Sequence, residues 1–177
     1  KELLRQLFSE GNIDRLASII NGSSKQEWID LSNNLLENEE NISVTIFIDG
    51  ASELENSNAG IGGVFYKDQN FSSEFHSFSE NIGAATNNEA EYKALIRALD
   101  ISKKLNIYKI DIFSDSELLV KQINLDYKVK NERLKKLHTE ARDKLYNSIW
   151  KLSHIRREKN RKADFLSKKG LEEGPKK

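Results

Sequence analysis

The sequence predicts an α/β domain, built as a mixed sheet of five strands flanked by helices, with a helical appendage at its N-terminus. Three runs rich in β-branched and aromatic residues lie close together between residues 44 and 78, which is typical of an antiparallel meander. After residue 86, helical and strand-like patterns alternate, which indicates an α/β layer arrangement. Residues 1–40 instead carry apolar side chains at helical spacing throughout.

The N-terminal segment, residues 1–40, is predicted to form helices followed by a linker. Ser23 or Ser24 is placed to cap the last of these helices, and the polar, acidic stretch 37–41 forms the linker. The segment carries 4 basic and 8 acidic side chains, so it would repel phosphate. We therefore expect it to pack on the main domain or to bind a protein.

The main domain is predicted to span residues 42–170, followed by a flexible tail at residues 171–177. Its first strand is the apolar run 44–49, and the glycine-rich residues 58–63 are predicted to be a turn that leads into a short second strand. The remaining elements, from the second strand onward, are expected to be strand 64–66, strand 71–78, helix 87–105, strand 108–114, helix 116–123, helix 131–146, strand 149–155 and helix 161–169.

The amino-acid composition excludes some classes of protein and some kinds of site. The chain has no apolar run long enough to span a membrane, and it has no cysteine, which excludes disulfides and thiolate metal sites. We expect a cytoplasmic protein. The formal net charge is zero, but residues 1–80 carry 5 basic and 14 acidic side chains, whereas residues 128–177 carry 17 basic and 7 acidic ones. This basic C-terminal part is either a phosphate-binding surface or a solvated helix surface.

Two candidate acids stand where predicted strands end. Asp49 closes the first strand and Asp115 closes the fourth, and open α/β sheets bind their ligands at such carboxyl ends. Each also has a structural interpretation. The Asp49–Gly50 pair could start a turn, and Asp115 could cap the helix that follows it.

Two further acids lie on predicted helices. Glu91 falls on the apolar stripe of the helix that begins at Asn87, whereas Glu89 lies on its polar face. A glutamate that faces the core needs a cation or a polar partner. Asp164 opens the final helix behind a strongly basic stretch, and it could be an ordinary first-turn acid favoured by the helix dipole. If all four acids converge, they form an oxygen-only site that suits Mg²⁺ or Mn²⁺.

Four segments that contain these acids resemble the active-site motifs of type 1 ribonuclease H. They are residues 48–52 (IDGAS), 86–92 (TNNEAEY), 114–120 (SDSELLV) and 157–164 (REKNRKAD), in the family's order. The resemblance covers about residues 42–170. It implies a ribonuclease H-like sheet with three antiparallel and two parallel strands. It also implies endonucleolytic hydrolysis of the RNA strand of RNA–DNA hybrids with two Mg²⁺ or Mn²⁺ ions, leaving 3′-hydroxyl and 5′-phosphate ends.

The same resemblance assigns roles to individual residues. It makes Asp49, Glu91, Asp115 and Asp164 the metal ligands, with Asp49 bridging both ions, and it makes Glu158 an aid to product release. Hybrid contacts would come from residues near the acids, namely Gly50, Ala51, Ser52, Thr86, Asn87, Asn88, Ser116 and Arg157. Asn87 could equally be the cap of its helix. Only residues 125–130 separate two of the helices, so the basic handle that some relatives insert there is expected to be absent.

The sequence alone leaves other interpretations of the function open. The chain could be a ribonuclease H domain of a reverse transcriptase, with residues 1–40 as part of its connection region. It could also be a related polynucleotidyl transferase, or a non-catalytic nucleic-acid- or protein-binding module on the same fold. The presence of all four acids argues against a non-catalytic module, and the two asparagines at the helix start favour the hydrolase.

Overall fold

A computed structural model describes residues 10–20, 22–32, 43–53, 58–67, 71–146 and 148–174. The chain divides into two compact units, residues 1–42 and residues 43–177. No helix in these described ranges is long and apolar enough to cross a membrane.

The first unit contains helix α1 (Glu10–Ile19) and helical residues 25–32, named α2. Ser24 caps α2, because its hydroxyl accepts from the Glu27 backbone N–H while the Glu27 carboxylate accepts from the Ser24 backbone N–H. This reciprocal capping box is a common helix start, and it confirms Ser24 as the cap. The predicted helix before residue 10 and the linker at residues 37–41 lie outside the described residues.

The second unit is built on one five-stranded sheet flanked by helices. In chain order the elements are β1 (Val44–Glu53), β2 (Asn58–Tyr66), β3 (Glu74–Gly83), α3 (Asn87–Lys104), β4 (Lys109–Ser114), α4 (Glu117–Ile123), α5 (Glu132–Leu145), β5 (Ile149–His154) and α6 (Arg161–Glu172). The strand order in the sheet is β3-β2-β1-β4-β5. Strand β2 pairs antiparallel with β1 and with β3, whereas β4 pairs parallel with β1 and with β5, so the predicted fold class is confirmed.

The main core lies between the sheet and α3. Ile46, Ile48 and Ile112 are fully buried from the sheet side, and Leu95 and Ala98 are fully buried from α3. The apolar stripe predicted for this helix therefore faces the strands. Because side chains alternate along a strand, the neighbouring Asp49 points to the other face, which α6 covers.

The glycine-rich stretch 58–63 belongs to β2, so its prediction as a turn was wrong. These residues pair with β1 in continuous register from Asn58 to Gly63. A Cβ on Gly60 would lie 2.2 Å from the Leu171 backbone nitrogen, and one on Gly62 would lie 2.3 Å from that of Ser167. The glycines are therefore needed for the close approach of α6 to the strand, not for a change of chain direction.

The end of α6 also differs from the prediction. The helix continues to Glu172, so residues 171 and 172 are not part of a tail, and residues 175–177 lie outside the described residues. Side chains from the sheet hold this helix end, because the Asn58 amide donates to the Leu171 carbonyl at 2.9 Å and the Asn81 amide donates to the Gly170 carbonyl at 3.2 Å. Strand β3, which carries Asn81, also extends further than predicted, because it runs to Gly83 instead of ending at residue 78.

The contact between α6 and β2 leads to a stability prediction. A Gly62→Ala substitution should lower the free energy of unfolding by about 1–3 kcal/mol, because the added methyl group would force α6 away from β2. Urea denaturation followed by circular dichroism measures this change. Gly11→Ala in α1 is the control, since a Cβ there meets nothing within 4 Å. Equal stability of the Gly62→Ala variant and the parent chain would show that the helix can shift without cost.

Candidate active site

Asp49 is buried between the sheet and α6. It lies inside β1, opposite Gly62 of β2, and the Ser167 hydroxyl of α6 donates a hydrogen bond to its carboxylate. Only 6% of Asp49 is exposed. Because β1 continues beyond it to Glu53, the interpretation of Asp49 and Gly50 as the start of a turn is wrong.

Glu91 reaches the same region from the first turns of α3. Thr86 caps this helix in a capping box with Glu89, so the cap is Thr86 and not Asn87. The helix lies directly on β1, since a Cβ on Gly50 would come within 2.4 Å of the Glu91 backbone nitrogen. The buried Glu91 Oε2 has no hydrogen-bond partner in the described part of the chain.

Asp115 follows β4 directly and is half-buried. Ser116 caps α4 through its hydroxyl, so Asp115 is not the cap. The side-chain amide of Asn160 instead donates to Asp115 Oδ1 at 3.2 Å and to the Ile48 carbonyl at 2.9 Å. Asn160 is 1% exposed, so this amide fixes Asp115 beside Ile48 in the middle of β1.

Three of the four predicted acids converge. Asp49, Glu91 and Asp115 each offer a carboxylate oxygen, and these oxygens lie within 4.8 Å of one another. We call these residues the carboxylate triad. Asp164 lines the same cleft but is not part of the triad. Its Oδ1 accepts from Arg157 at 2.8 Å and its Oδ2 accepts from Lys168 at 2.6 Å.

The environment of the site opposes the ionisation of Asp49 and Glu91. Burial, together with the negative charges of Asp115 and Asp164, raises the pKa of Asp49 to about 7, although the Ser167 hydrogen bond acts in the opposite direction. Burial and the nearby charges of Asp49 and Asp115 raise the pKa of Glu91 well above its usual range. Asp164 behaves differently. Burial opposes its ionisation, but its bonds to Lys168 and Arg157 outweigh burial and lower its pKa.

The donor set of the triad fits a hard divalent cation. All its ligand atoms are carboxylate oxygens, which Mg²⁺ and Mn²⁺ prefer. The unpartnered Glu91 Oε2 is the kind of buried acceptor that a cation would satisfy. Positive charge would also relieve the repulsion that raises the pKa values of Asp49 and Glu91.

The triad lies in an open cleft of about 780 Å³. Most of the residues predicted to contact a nucleic acid line this cleft, together with Glu158; they are Gly50, Ala51, Ser52, Asn87, Ser116 and Arg157. Thr86 and Asn88 are not among its lining residues. Thr86 is occupied by the helix cap, and Asn88 is exposed on the first turn of α3. The connection between α4 and α5 is short, at residues 124–131.

Several side chains at the site were not singled out by the sequence analysis. Ser167 contacts Asp49, Asn160 contacts Asp115, Lys168 contacts Asp164, and His154 lines the cleft at the end of β5. Ser167 had a detectable signal, because it is a polar residue on the buried face of α6 beside Ala163 and Gly170. His154 is the last residue of β5 and is exposed.

Comparison with known proteins agrees with this geometry. Residues 47–170 match the sequence model of the family described as reverse transcriptase-like. The structure of RNase H1 from the halophilic archaeon Halobacterium salinarum aligns with a TM-score of 0.70 and 30% identity, over 75% of this chain and 99% of that one. The chain belongs to the type 1 ribonuclease H family. Ribonuclease HI of Halobacterium salinarum is 32% identical over 132 residues, which are 73% of this chain and 65% of the relative.

Two further ribonuclease H relatives are similar over about the same share of the chain. LC11-RNase H1, isolated from compost, is 36% identical with a TM-score of 0.66, over 73% of this chain and 96% of that one, in a structure with an RNA/DNA hybrid. The N-terminal RNase H domain of a bifunctional Mycobacterium tuberculosis protein is 32% identical with a TM-score of 0.69, over 74% and 94% of the two chains. This chain spans 35% of that whole bifunctional protein.

The raised pKa values predict how stability depends on pH when divalent cations are chelated. A carboxyl whose folded pKa lies above its unfolded value stabilises the fold below the unfolded pKa, and this contribution is lost as pH rises through the folded pKa. For Asp49 this window runs from 3.8 to about 7. In chelator, the melting temperature should therefore fall between pH 5 and pH 7.5, and Mg²⁺ should restore it at pH 7.5.

Glu91→Gln should weaken this decline, because it removes a second buried carboxyl whose own raised pKa contributes to it. Glu89→Gln is the matched control on the same helix. Its glutamine can still accept from the Thr86 backbone N–H in the capping box, so the pH dependence between pH 5 and pH 7.5 should stay the same. A melting temperature of the parent chain that stays constant over this range, with or without Mg²⁺, would contradict the prediction.

Proposed function

We propose that this chain is an endonuclease that hydrolyses the RNA strand of RNA–DNA hybrids and leaves 3′-hydroxyl and 5′-phosphate ends. The observation that carries the proposal is the carboxylate triad, since three acids from separate elements meet within 4.8 Å in an open cleft. Membership of the type 1 ribonuclease H family supports the reaction, and the hybrid complex of LC11-RNase H1 supports the substrate. The site is of a size and openness that suits a nucleic-acid backbone.

Divalent cations are part of this proposal, with two Mg²⁺ ions as the cofactor and Mn²⁺ as a substitute. Asp49, Glu91 and Asp115 would hold one ion, and Asp164, next to Asp49 in the cleft, would complete the set of ligands. When bound, the ions supply an activated water and stabilise charge on the leaving oxygen. Ser167 and Asn160 keep Asp49 and Asp115 in place for this task through their hydrogen bonds.

The rim of the cleft provides the contacts that would recognise the hybrid. Gly50, Ala51 and Ser52 present backbone along one side of the triad, and the Asn87 and Ser116 side chains extend the same surface. We assign these residues to the minor groove, where 2′-hydroxyl groups distinguish RNA from DNA. Thr86 and Asn88, which do not line the cleft, would act through the position of the α3 N-terminus.

Phosphate groups would be held by the basic residues that follow β5. Arg156, Arg157, Lys159, Arg161 and Lys162 are all exposed, and Arg156 and Arg157 line the cleft. Exposed arginine and lysine side chains next to buried acids attract a polyanion while the acids hold cations. Glu158, exposed in the same turn, is assigned to product release. The cytoplasmic location and a protein contact through residues 1–40 stay predictions.

The reaction is tested by incubating the chain with a labelled RNA–DNA hybrid in Mg²⁺, in Mn²⁺ and in chelator. We expect cation-dependent cleavage inside the RNA strand, no cleavage of RNA duplex or DNA duplex, and products with 5′-phosphate ends. Cleavage of DNA duplex without cleavage of hybrid would contradict the proposed substrate. Complete inactivity on every substrate in both cations would favour a binding module.

Asp115→Asn should lower the turnover of the hybrid by at least about 100-fold, because it replaces a cation ligand, and even the loss of groups that only support ligands costs 10–100-fold. Fold and hybrid affinity should be retained, since the amide keeps the shape of the carboxylate. Asp111→Asn is the matched control in the strand that leads to Asp115, because Asp111 accepts from the Ser43 hydroxyl and does not line the cleft. Retained turnover in Asp115→Asn would remove this residue from the site.

A further inference from the structure

Asp164 is the acid of the site whose two oxygens are both bound by cations. Lys168 Nζ lies 2.6 Å from Oδ2 and Arg157 Nη2 lies 2.8 Å from Oδ1. In the described part of the chain, no ion pair within 4.0 Å involves a member of the carboxylate triad. The two parts of the site therefore differ in one property, because the carboxylates of the triad have no cationic side chain as a partner in the described residues, whereas Asp164 has two.

Of the two cationic side chains that bind Asp164, Lys168 is the one that helix α6 itself keeps next to this acid. It lies four residues after Asp164 on α6, so the two side chains project from the same face of one helix. Arg157 belongs to a separate turn, is 71% exposed and also has a proposed role towards the substrate. Lys168 is 53% exposed, so its ammonium can move into solvent without leaving a buried charge behind.

This pairing has a direct consequence for cation binding. An ammonium 2.6 Å from a carboxylate oxygen occupies one of its lone pairs and repels a divalent ion, so that oxygen is less available to the ion while the ammonium is there. Even after it leaves, a positive charge attached one helical turn away continues to repel that ion. The triad has no such competitor in the described structure.

We propose that Lys168 is a tethered cation that competes with a divalent ion for Asp164, so that the chain loads its ions in order. The first ion binds the carboxylate triad. The second binds at Asp164 and displaces the Lys168 ammonium, which makes the second step weaker. This inference rests on the proposed function only in requiring that the carboxylates hold divalent cations. Lys168 is a positioning residue, since it acts through the Asp164 carboxylate.

The test is titration of the full chain with Mn²⁺ and with Mg²⁺, followed by isothermal titration calorimetry and by electron paramagnetic resonance of free Mn²⁺. Lys168→Met removes the charge and keeps the length of the side chain. In this variant the second binding step should tighten about five- to tenfold, as expected for the loss of one partly exposed charge. The first step should change less than about twofold, because the triad is not paired with Lys168.

Two further variants separate the charge from other effects. Lys168→Arg keeps the charge and should bind cations as the parent chain does. Lys169→Met is the matched control, because Lys169 is the next residue of α6, has the same exposure of 53% and pairs with Glu173. A double-mutant cycle gives the strictest test. On an Asp164→Asn background, Lys168→Met should no longer affect the second step.

Each outcome decides the proposal. Tightening in Lys168→Met that disappears on the Asp164→Asn background supports it. Unchanged or weaker second binding in Lys168→Met, or an effect that persists without the Asp164 carboxylate, overturns it. Absence of any divalent binding by the parent chain would overturn both this inference and the proposed function. Normal binding in the parent together with no effect of Lys168→Met would overturn this inference alone.

Discussion

Mutual repulsion between buried carboxylates is the constraint on which this structure depends. Asp49 and Glu91 are 6% and 5% exposed, and Asp115 lies beside them. Bringing such groups within 4.8 Å is costly unless the fold holds them and a proton or cation neutralises them. The three acids come from β1, α3 and the end of β4, so their convergence is a property of the whole domain. The folding of the whole domain thus supplies the free energy that holds the three carboxylates together, which an isolated cluster would lack.

Close packing at glycine positions makes this convergence possible. Gly50 brings the N-terminal part of α3 against one face of β1, and Gly62 brings α6 against the other face of the sheet. One helix delivers Glu91 and the other delivers both Ser167 and Asp164. The position of each acid relative to Asp49 is therefore set by backbone contacts, which vary less than the positions of long side chains. Asn160, buried between β1 and Asp115, completes the same arrangement with a hydrogen bond to each.

Residue patterns predicted the sheet, the long helix α3 and the burial of Glu91, because apolar periodicity encodes which face of an element meets the core. They failed at residues 58–63, since glycines in a strand that packs against a helix have the same composition as a turn. Apolar alternation also missed the length of β3, whose second half carries half-buried polar residues at the edge of the sheet. The spacing of the sequence motifs identified the four acids, but it did not show which side chains contact them. The contact of Lys168 with Asp164 follows from helical geometry, whereas the contact of Ser167 with Asp49 depends on how α6 lies on the sheet.

The Asn58 amide donates to the Leu171 carbonyl and the Asn81 amide donates to the Gly170 carbonyl. These two hydrogen bonds affect how far the chain can be shortened. They hold the C-terminal end of α6, the helix that carries Asp164, against the sheet. This contact at one end of the helix helps to set the direction of its other end. Asn58 on β2 and Asn81 on β3 therefore share control of the position of Asp164 at the mouth of the cleft. A boundary drawn before residue 170 would keep all four acids of the site in the polypeptide and still loosen the position of Asp164.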